Sequence, residues 1–209
     1  MKIDLDDMHM CVLLGTYEKE IHPAFDKLSA FRFDQIINLG ATEGYYAIGM
    51  ALKWLEATVY AFETLEDIYH PQILKLASDN LVANRVHIRG HCSPSDLIDL
   101  LKPDKSTLLM LDVEGDEVNL LDPAAIDELC RTTILVELHD MLVPRCSRII
   151  EERFQNTHDI SKYIVRPRTI KDFPLYIWNI VNSIIGPFVV MAMCERPAPQ
   201  EYFLMVPKS

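Results

Sequence analysis

Short runs of almost uniformly apolar residues alternate along this chain with longer stretches whose apolar positions recur at helical spacing. Gln35–Leu39, Thr58–Phe62, Val86–Arg89, Thr107–Leu111 and Thr133–Leu138 read as five strands, most of them ending at a glycine or an acid. Between them Gly44–Trp54, Leu65–Asn84 and Asp116–Leu129 read as helical, the last with a second piece starting at Pro123. Ser93-Pro94-Ser95-Asp96 opens another helix: Ser93 can cap it, Pro94 suits its first position and Asp96 completes a capping box. Pro144–Thr157 is a further helix, and His158–Val165 and Glu201–Val206 are two last strands with a hairpin-like finish. Tyr17–Phe31 predicts a helix across one edge. Strands apolar on both sides need helices on both faces. The pattern therefore predicts one doubly wound α/β domain over 1–209, with a helical extension over 1–33 and a variable lid or interface over 166–200.

One stretch breaks the alternation. Phe173–Met193 carries no charged residue and is long enough, as a helix, to cross a bilayer. Asn179, Asn182 and Ser183 interrupt it, Pro187 would break its ladder, and a strand follows that belongs with the others. A buried helix pair, a substrate lid or a subunit interface fits better than a membrane span, and an interface there would make a homodimer.

Composition narrows the class of partner. The chain is 49% hydrophobic, enough for a sizeable core, and its 20 basic against 31 acidic residues leave a net charge of −11. Such a surface repels a phosphate backbone, and the densest basic stretch, Arg166-Pro167-Arg168, is short, so a small-molecule substrate is expected rather than nucleic acid. The five cysteines are scattered without metal-ligand spacing, and Met1–Asp7 holds three aspartates where a basic leader would stand, which reads as a reduced, cytoplasmic protein.

In an open parallel sheet, ligands bind beyond the carboxyl ends of the strands, so the chemistry is sought there. The first strand runs into Asn38-Leu-Gly40-Ala-Thr-Glu-Gly44. A nicotinamide fingerprint would need glycine at positions 42 and 45 as well, and these are Thr42 and Tyr45, so a dinucleotide pyrophosphate is poorly served. Glu63, at the end of the second strand and 23 residues after Gly40, can accept both hydroxyls of an adenosine ribose. The fourth strand ends in Asp112-Val-Glu114-Gly115-Asp116-Glu117, a density of carboxylates that calls for a cation, either a sulfonium or a divalent metal. Asp116 and Glu117 are explained by the helix start that follows them; Asp112 and Glu114 are not. Alternation then brings Asp112, Glu114, Glu137 and His139 around one crevice. His139 is either a base for a substrate hydroxyl or a structural histidine bonded to a neighbouring carboxylate.

The order of four stretches, Ile37–Tyr46, Val59–Glu63, Leu111–Glu117 and Leu135–His139, resembles the FkbM-type branch of the class I S-adenosylmethionine-dependent methyltransferases. The likeness covers roughly Tyr17–Asp140. It implies a seven-stranded, mostly parallel Rossmann-like sheet with an antiparallel last strand. It also implies cofactor contacts at Asn38, Gly40, Ala41, Glu43 and Gly44, at Glu63 and Thr64, and at Gly90, His91 and Cys92 for the adenine, with Asp112 beside the methionine moiety. This chain departs from the family at two positions: Asn38 stands where an aspartate is usual, and Thr42 where an asparagine is.

The resulting expectation is methyl transfer from S-adenosylmethionine to an oxygen of a small hydroxylated metabolite or sugar, with His139, Glu114 and Asp112 as the catalytic group. A variant places Mg²⁺ between Asp112, Glu114 and Glu137. The rival from another class is a catalytically silent methyltransferase-like binding or assembly module, motivated by Asn38 and the apolar run. A dehydrogenase is weaker, because its glycine pattern is missing.

Overall fold

Each strand read from the sequence is present in the computed structural model, which describes residues 10–173, 188, 190–193 and 200–208. The strands are β1 (Gln35–Leu39), β2 (Thr58–Phe62), β3 (Val86–Arg89), β4 (Thr107–Leu111), β5 (Thr133–Leu138), β6 (His158–Ile164) and β7 (Glu201–Pro207). They form one sheet in the order β3-β2-β1-β4-β5-β7-β6. β7 runs antiparallel to both of its neighbours and every other pair is parallel. The strand order reverses at β1 and β4, whose ends are flush, with Leu39 opposite Leu111.

Alternation along the strands divides the core into two. Ile36, Val59, Ala61, Leu108, Met110, Leu135 and Leu204 face one layer, together with Ala47, Ile48 and Ala51 of α3 (Tyr45–Lys53) and Ile73 and Ala77 of α4 (Glu66–Asp79). Ile37, Leu39, Leu109, Leu111, Ile134, Val136 and Phe203 face the other, against α5 (Pro94–Leu100) and α7 (Cys146–Phe154). Each fully buried Ile, Leu, Val, Met or Phe side chain of these layers contributes about 1.5–3 kcal/mol relative to exposure. The capping box of α5 is formed as read, with Asp96 N donating to Ser93 Oγ and Ser93 N donating to Asp96 Oδ2.

Three helical readings are shortened by local chemistry. Tyr17–Phe31 is a short 3₁₀ turn, Lys19–Ile21, followed by α2 (His22–Leu28), and its Ile21, Ala24 and Leu28 are buried on the face of the sheet rather than along an edge. Leu65–Asn84 ends at Asp79, because Leu81 turns left-handed ahead of a 3₁₀ turn. Between β4 and β5 only α6 (Glu117–Leu120) is α-helical, before a 3₁₀ segment at Asp127–Arg131. Pro123 does not start a helix there; Asp122 accepts the Ala124 N–H through its side chain, and a turn replaces the helix.

Residues 166–172 are stapled to the amino-terminal region. Arg168 pairs with Glu20 and donates to the Thr16 carbonyl, and Asp172 accepts from Lys19 and Arg166. The run 173–193, read as a lid or dimer interface, lies for the most part outside the described residues. Among the described residues no helix is long and apolar enough to cross a membrane.

Candidate functional site

Backbone hydrogen bonds tie the loops at the carboxyl edge into a single floor. Gly40 N and Ala41 N both donate to the Phe62 carbonyl, Glu63 N to Arg89, and Asp112 N to Leu39. Gly40 has φ of +75°, and a Cβ built on it would stand 1.7 Å from the Asp112 carbonyl oxygen, so glycine alone lets β1 and β4 approach this closely. Glu63 is buried, and its carboxylate locks the floor from the side: Oε2 accepts from Thr42 N at 2.9 Å and Oε1 from Leu65 N at 2.8 Å. A carboxylate has acceptor capacity beyond two such bonds, so its outer lone pairs stay available to hydroxyls.

Above this floor lies a cavity of about 470 Å³, within the size range of small-molecule sites. Gly40, Thr42, Glu63, Thr64, Gly90, His91, Cys92, Asp112, Glu114 and Asp116 line it together with apolar Phe62, Leu65, Tyr69 and Leu120. Of the residues expected to hold a cofactor, Gly40, Glu63, Thr64, Gly90, His91, Cys92 and Asp112 border this space. Asn38 and Ala41 are buried within the core instead, Glu43 is half-buried, and Gly44 precedes α3 where a Cβ would stand 3.2 Å from Ile73; none of these four is on the lining. Burial, then the charge of Asp96, pushes the Cys92 thiol up to about 12, so it is a neutral wall. Tyr69, Leu65 and Leu120 carried no sequence signal, being ordinary apolar positions of helices and turns.

The second half of the site is an acidic cluster around one imidazole. His139, just beyond β5, is 1% exposed. Its Nε2 lies 3.4 Å from Glu114 Oε2, 3.6 Å from Asp112 Oδ1 and 3.8 Å from Glu137 Oε1. Its Nδ1 is hydrogen-bonded at 2.5 Å to Glu117 Oε1. The four side chains expected around one crevice are thus together. Glu117 opens α6 as expected, but it is also completely buried, and it accepts from Gly115 N and the Cys146 thiol as well as from His139. Glu114 sits at a left-handed φ of 49° followed by Gly115 at 112°, a turn that brings the strand end back over His139.

Charge settles around the ring in a consistent direction. Burial would lower the His139 pKa, but the Glu117 hydrogen bond and the charges of Glu117, Asp112 and Glu114 hold it above the ordinary value. Burial would likewise raise that of Glu117, and the His139 hydrogen bond with the backbone donors brings it below the ordinary value. Both shifts have one cause: each group favours the charged form of the other across their hydrogen bond.

His139 also borders a second hollow of about 240 Å³, formed by Leu138, Asp140, Met141, Ile164, Gln200 and Glu201. Since Asp112 and Glu114 line the first cavity and stand within 3.6 Å of His139, the cluster borders both spaces.

No protein-family model matches the sequence, and no curated protein matches it. Solved structures do match the fold. The O-methyltransferase TomG of Streptomyces achromogenes, involved in tomaymycin synthesis and solved with SAM, is 11% identical over 98% of this chain and 91% of its own, with a TM-score of 0.54. A precorrin-6Y C5,15-methyltransferase of Geobacter metallireducens is 14% identical over 90% of this chain and 87% of its own, at 0.58. The m1A22 tRNA methyltransferase TrmK of B. subtilis is 10% identical over 87% of this chain and 64% of its own, at 0.51. The sheet order and helices are those of the Rossmann-like methyltransferase fold.

Proposed function

We propose that this protein is an S-adenosylmethionine-dependent methyltransferase acting on an oxygen of a small hydroxylated acceptor. The observation that carries the reading is the buried Glu63 lining the 470 Å³ cavity together with Asp112. The narrower assignment, to the FkbM-type branch, rests on the order of the four sequence stretches and on Glu137 and His139 following Asp112, Glu114 and Glu117.

Glu63 would accept the ribose hydroxyls, with Gly90, His91 and Cys92 beside the adenine and Gly40 leaving the backbone open to the methionine end. Four carboxylates on the lining, Glu63, Asp112, Glu114 and Asp116, suit a ligand carrying positive charge. When bound, S-adenosylmethionine supplies a methyl group on a positively charged sulfur, which leaves as a neutral thioether when an oxygen takes the methyl. The 240 Å³ hollow would hold the body of the acceptor, with its reacting oxygen extended past the cluster to the cofactor cavity. The acceptor's hydroxyl proton would pass to Glu114, whose carboxylate is 69% exposed beside the buried ring. Alignment of the two ligands at this cluster is the main contribution of the protein.

Calorimetry with S-adenosylhomocysteine tests the assignment. Binding to the wild-type chain is expected, with Glu63→Ala about 10- to 100-fold weaker through loss of charge-assisted hydrogen bonds. No binding, or undiminished binding by the variant, would remove the cofactor site. Binding without turnover on hydroxylated acceptors would leave a binding module.

A further inference from the structure

The imidazole nitrogen that faces the carboxylates has no hydrogen-bond partner among the described residues, although it is buried. Buried polar atoms left this way are uncommon and costly. The neighbouring atoms are not random. One oxygen of Asp112, one of Glu114 and a nitrogen of His139 all lie within 4.8 Å of one another. Nε2 stands 3.4 and 3.6 Å from the two oxygens, too far for a hydrogen bond. Two ligands each about 2.1 Å from a shared metal are themselves about 3.0–3.4 Å apart, which is close to this spacing. Glu117 fixes the other ring nitrogen at 2.5 Å, the support that metal-bound histidines ordinarily receive from a carboxylate.

We propose that Asp112, Glu114 and His139 bind one divalent first-row transition metal through Oδ1, Oε2 and Nε2. The imidazole ligand favours a transition metal such as Zn²⁺ over Mg²⁺ or Ca²⁺, which prefer all-oxygen sites, and the two carboxylates also admit Mn²⁺. This differs from an all-carboxylate arrangement with Glu137: the buried nitrogen takes that position, and Glu137, 3.8 Å from it, contributes charge from behind. Three protein ligands leave coordination positions for water or for an acceptor oxygen, whose hydroxyl the metal would acidify. That last role rests on the methyl-transfer reading; the binding of the metal does not.

The test is titration of MnCl₂ into the metal-free full chain, followed by calorimetry and pulsed EPR. One saturable Mn²⁺ per chain with ¹⁴N coupling from an imidazole is expected. His139→Gln should abolish that coupling. Glu114→Gln, an exposed position that leaves the core intact, should weaken binding about tenfold or more, and Glu117→Gln about 10- to 100-fold through the ring it orients. Absence of a saturable site, bound Mn²⁺ without ¹⁴N coupling, or unchanged affinity in Glu114→Gln would overturn the proposal. Circular dichroism decides whether His139→Gln is folded; if it is not, the wild-type spectrum and Glu114→Gln still decide. S-adenosylhomocysteine binding measured in parallel separates this outcome from the fate of the cofactor site.

Discussion

The loops after β1 and β2 and those after β4 and β5 both present carboxylates at the same sheet edge, yet they are held in different ways. In the first pair, Glu63 is anchored by the backbone N–H groups of Thr42 and Leu65, and Gly40 lets two strands touch. That floor is complete from its own hydrogen bonds. In the second pair, Asp112, Glu114, Glu117 and Glu137 surround one imidazole, and Glu114 is held in a left-handed conformation. Side-chain charge takes over there from main-chain pairing. A site of the first kind is shaped to receive a ligand; one of the second kind is balanced only when positive charge sits within it. A buried thiol accompanies each, and burial first, then Asp96 beside Cys92 or Glu117 beside Cys146, pushes both up to about 12.

The contrast can be broken most severely at Glu117. Glu117→Ala removes one partner of the fully buried Glu117–His139 hydrogen bond and should cost about 3–5 kcal/mol, read as a fall in the urea midpoint. A cost under about 1 kcal/mol would mean that the second region does not depend on charge as described. Gly40→Ala strikes the first region through the backbone, with a Cβ 1.7 Å from a carbonyl oxygen and a positive φ. About 3 kcal/mol of destabilisation is expected, with loss of S-adenosylhomocysteine binding. Ser93→Ala, outside both regions, is the control: loss of the α5 cap should lower stability by about 1 kcal/mol and leave both ligand titrations unchanged. The smallest effect is chemical. Among the four described free cysteines, an anionic thiol reagent at about pH 8 should label half-buried Cys130 first and spare Cys92 and Cys146. Early labelling of Cys92 would show that the cavity wall opens.

How far the sequence revealed these two regions follows from the same difference. β1, β4 and β5 were legible because runs such as Thr107–Leu111 are buried on every residue, a pattern only a sandwiched strand needs, while β2 and β3, nearer the sheet edge, show as short β-branched runs ending just before an acid or a glycine. Gly40 and Glu63 were legible because their spacing reflects a repeated strand–helix–strand length. Glu117 was not, since an acid at a helix start looks the same whether it faces water or a buried ring; only the tertiary position of His139 tells them apart. Tyr69 was hidden for a similar reason, as one apolar position of α4 among several. The shortened helix after β4 was legible in part: Asp122-Pro123 signals a turn as readily as a second helix, and the Asp122 side chain decides for the turn.

Among the described strands β6 joins the sheet only through β7, which is inserted between it and β5. During synthesis, then, residues 158–164 have no strand to dock on until the ribosome has released the chain through about residue 207. For that interval the flank of β5 is an unpaired edge, open to the main chain of any other extended polypeptide. A stalled nascent chain ending before β7 would therefore carry both the acidic cluster and an adhesive edge, and would be a natural client for chaperones.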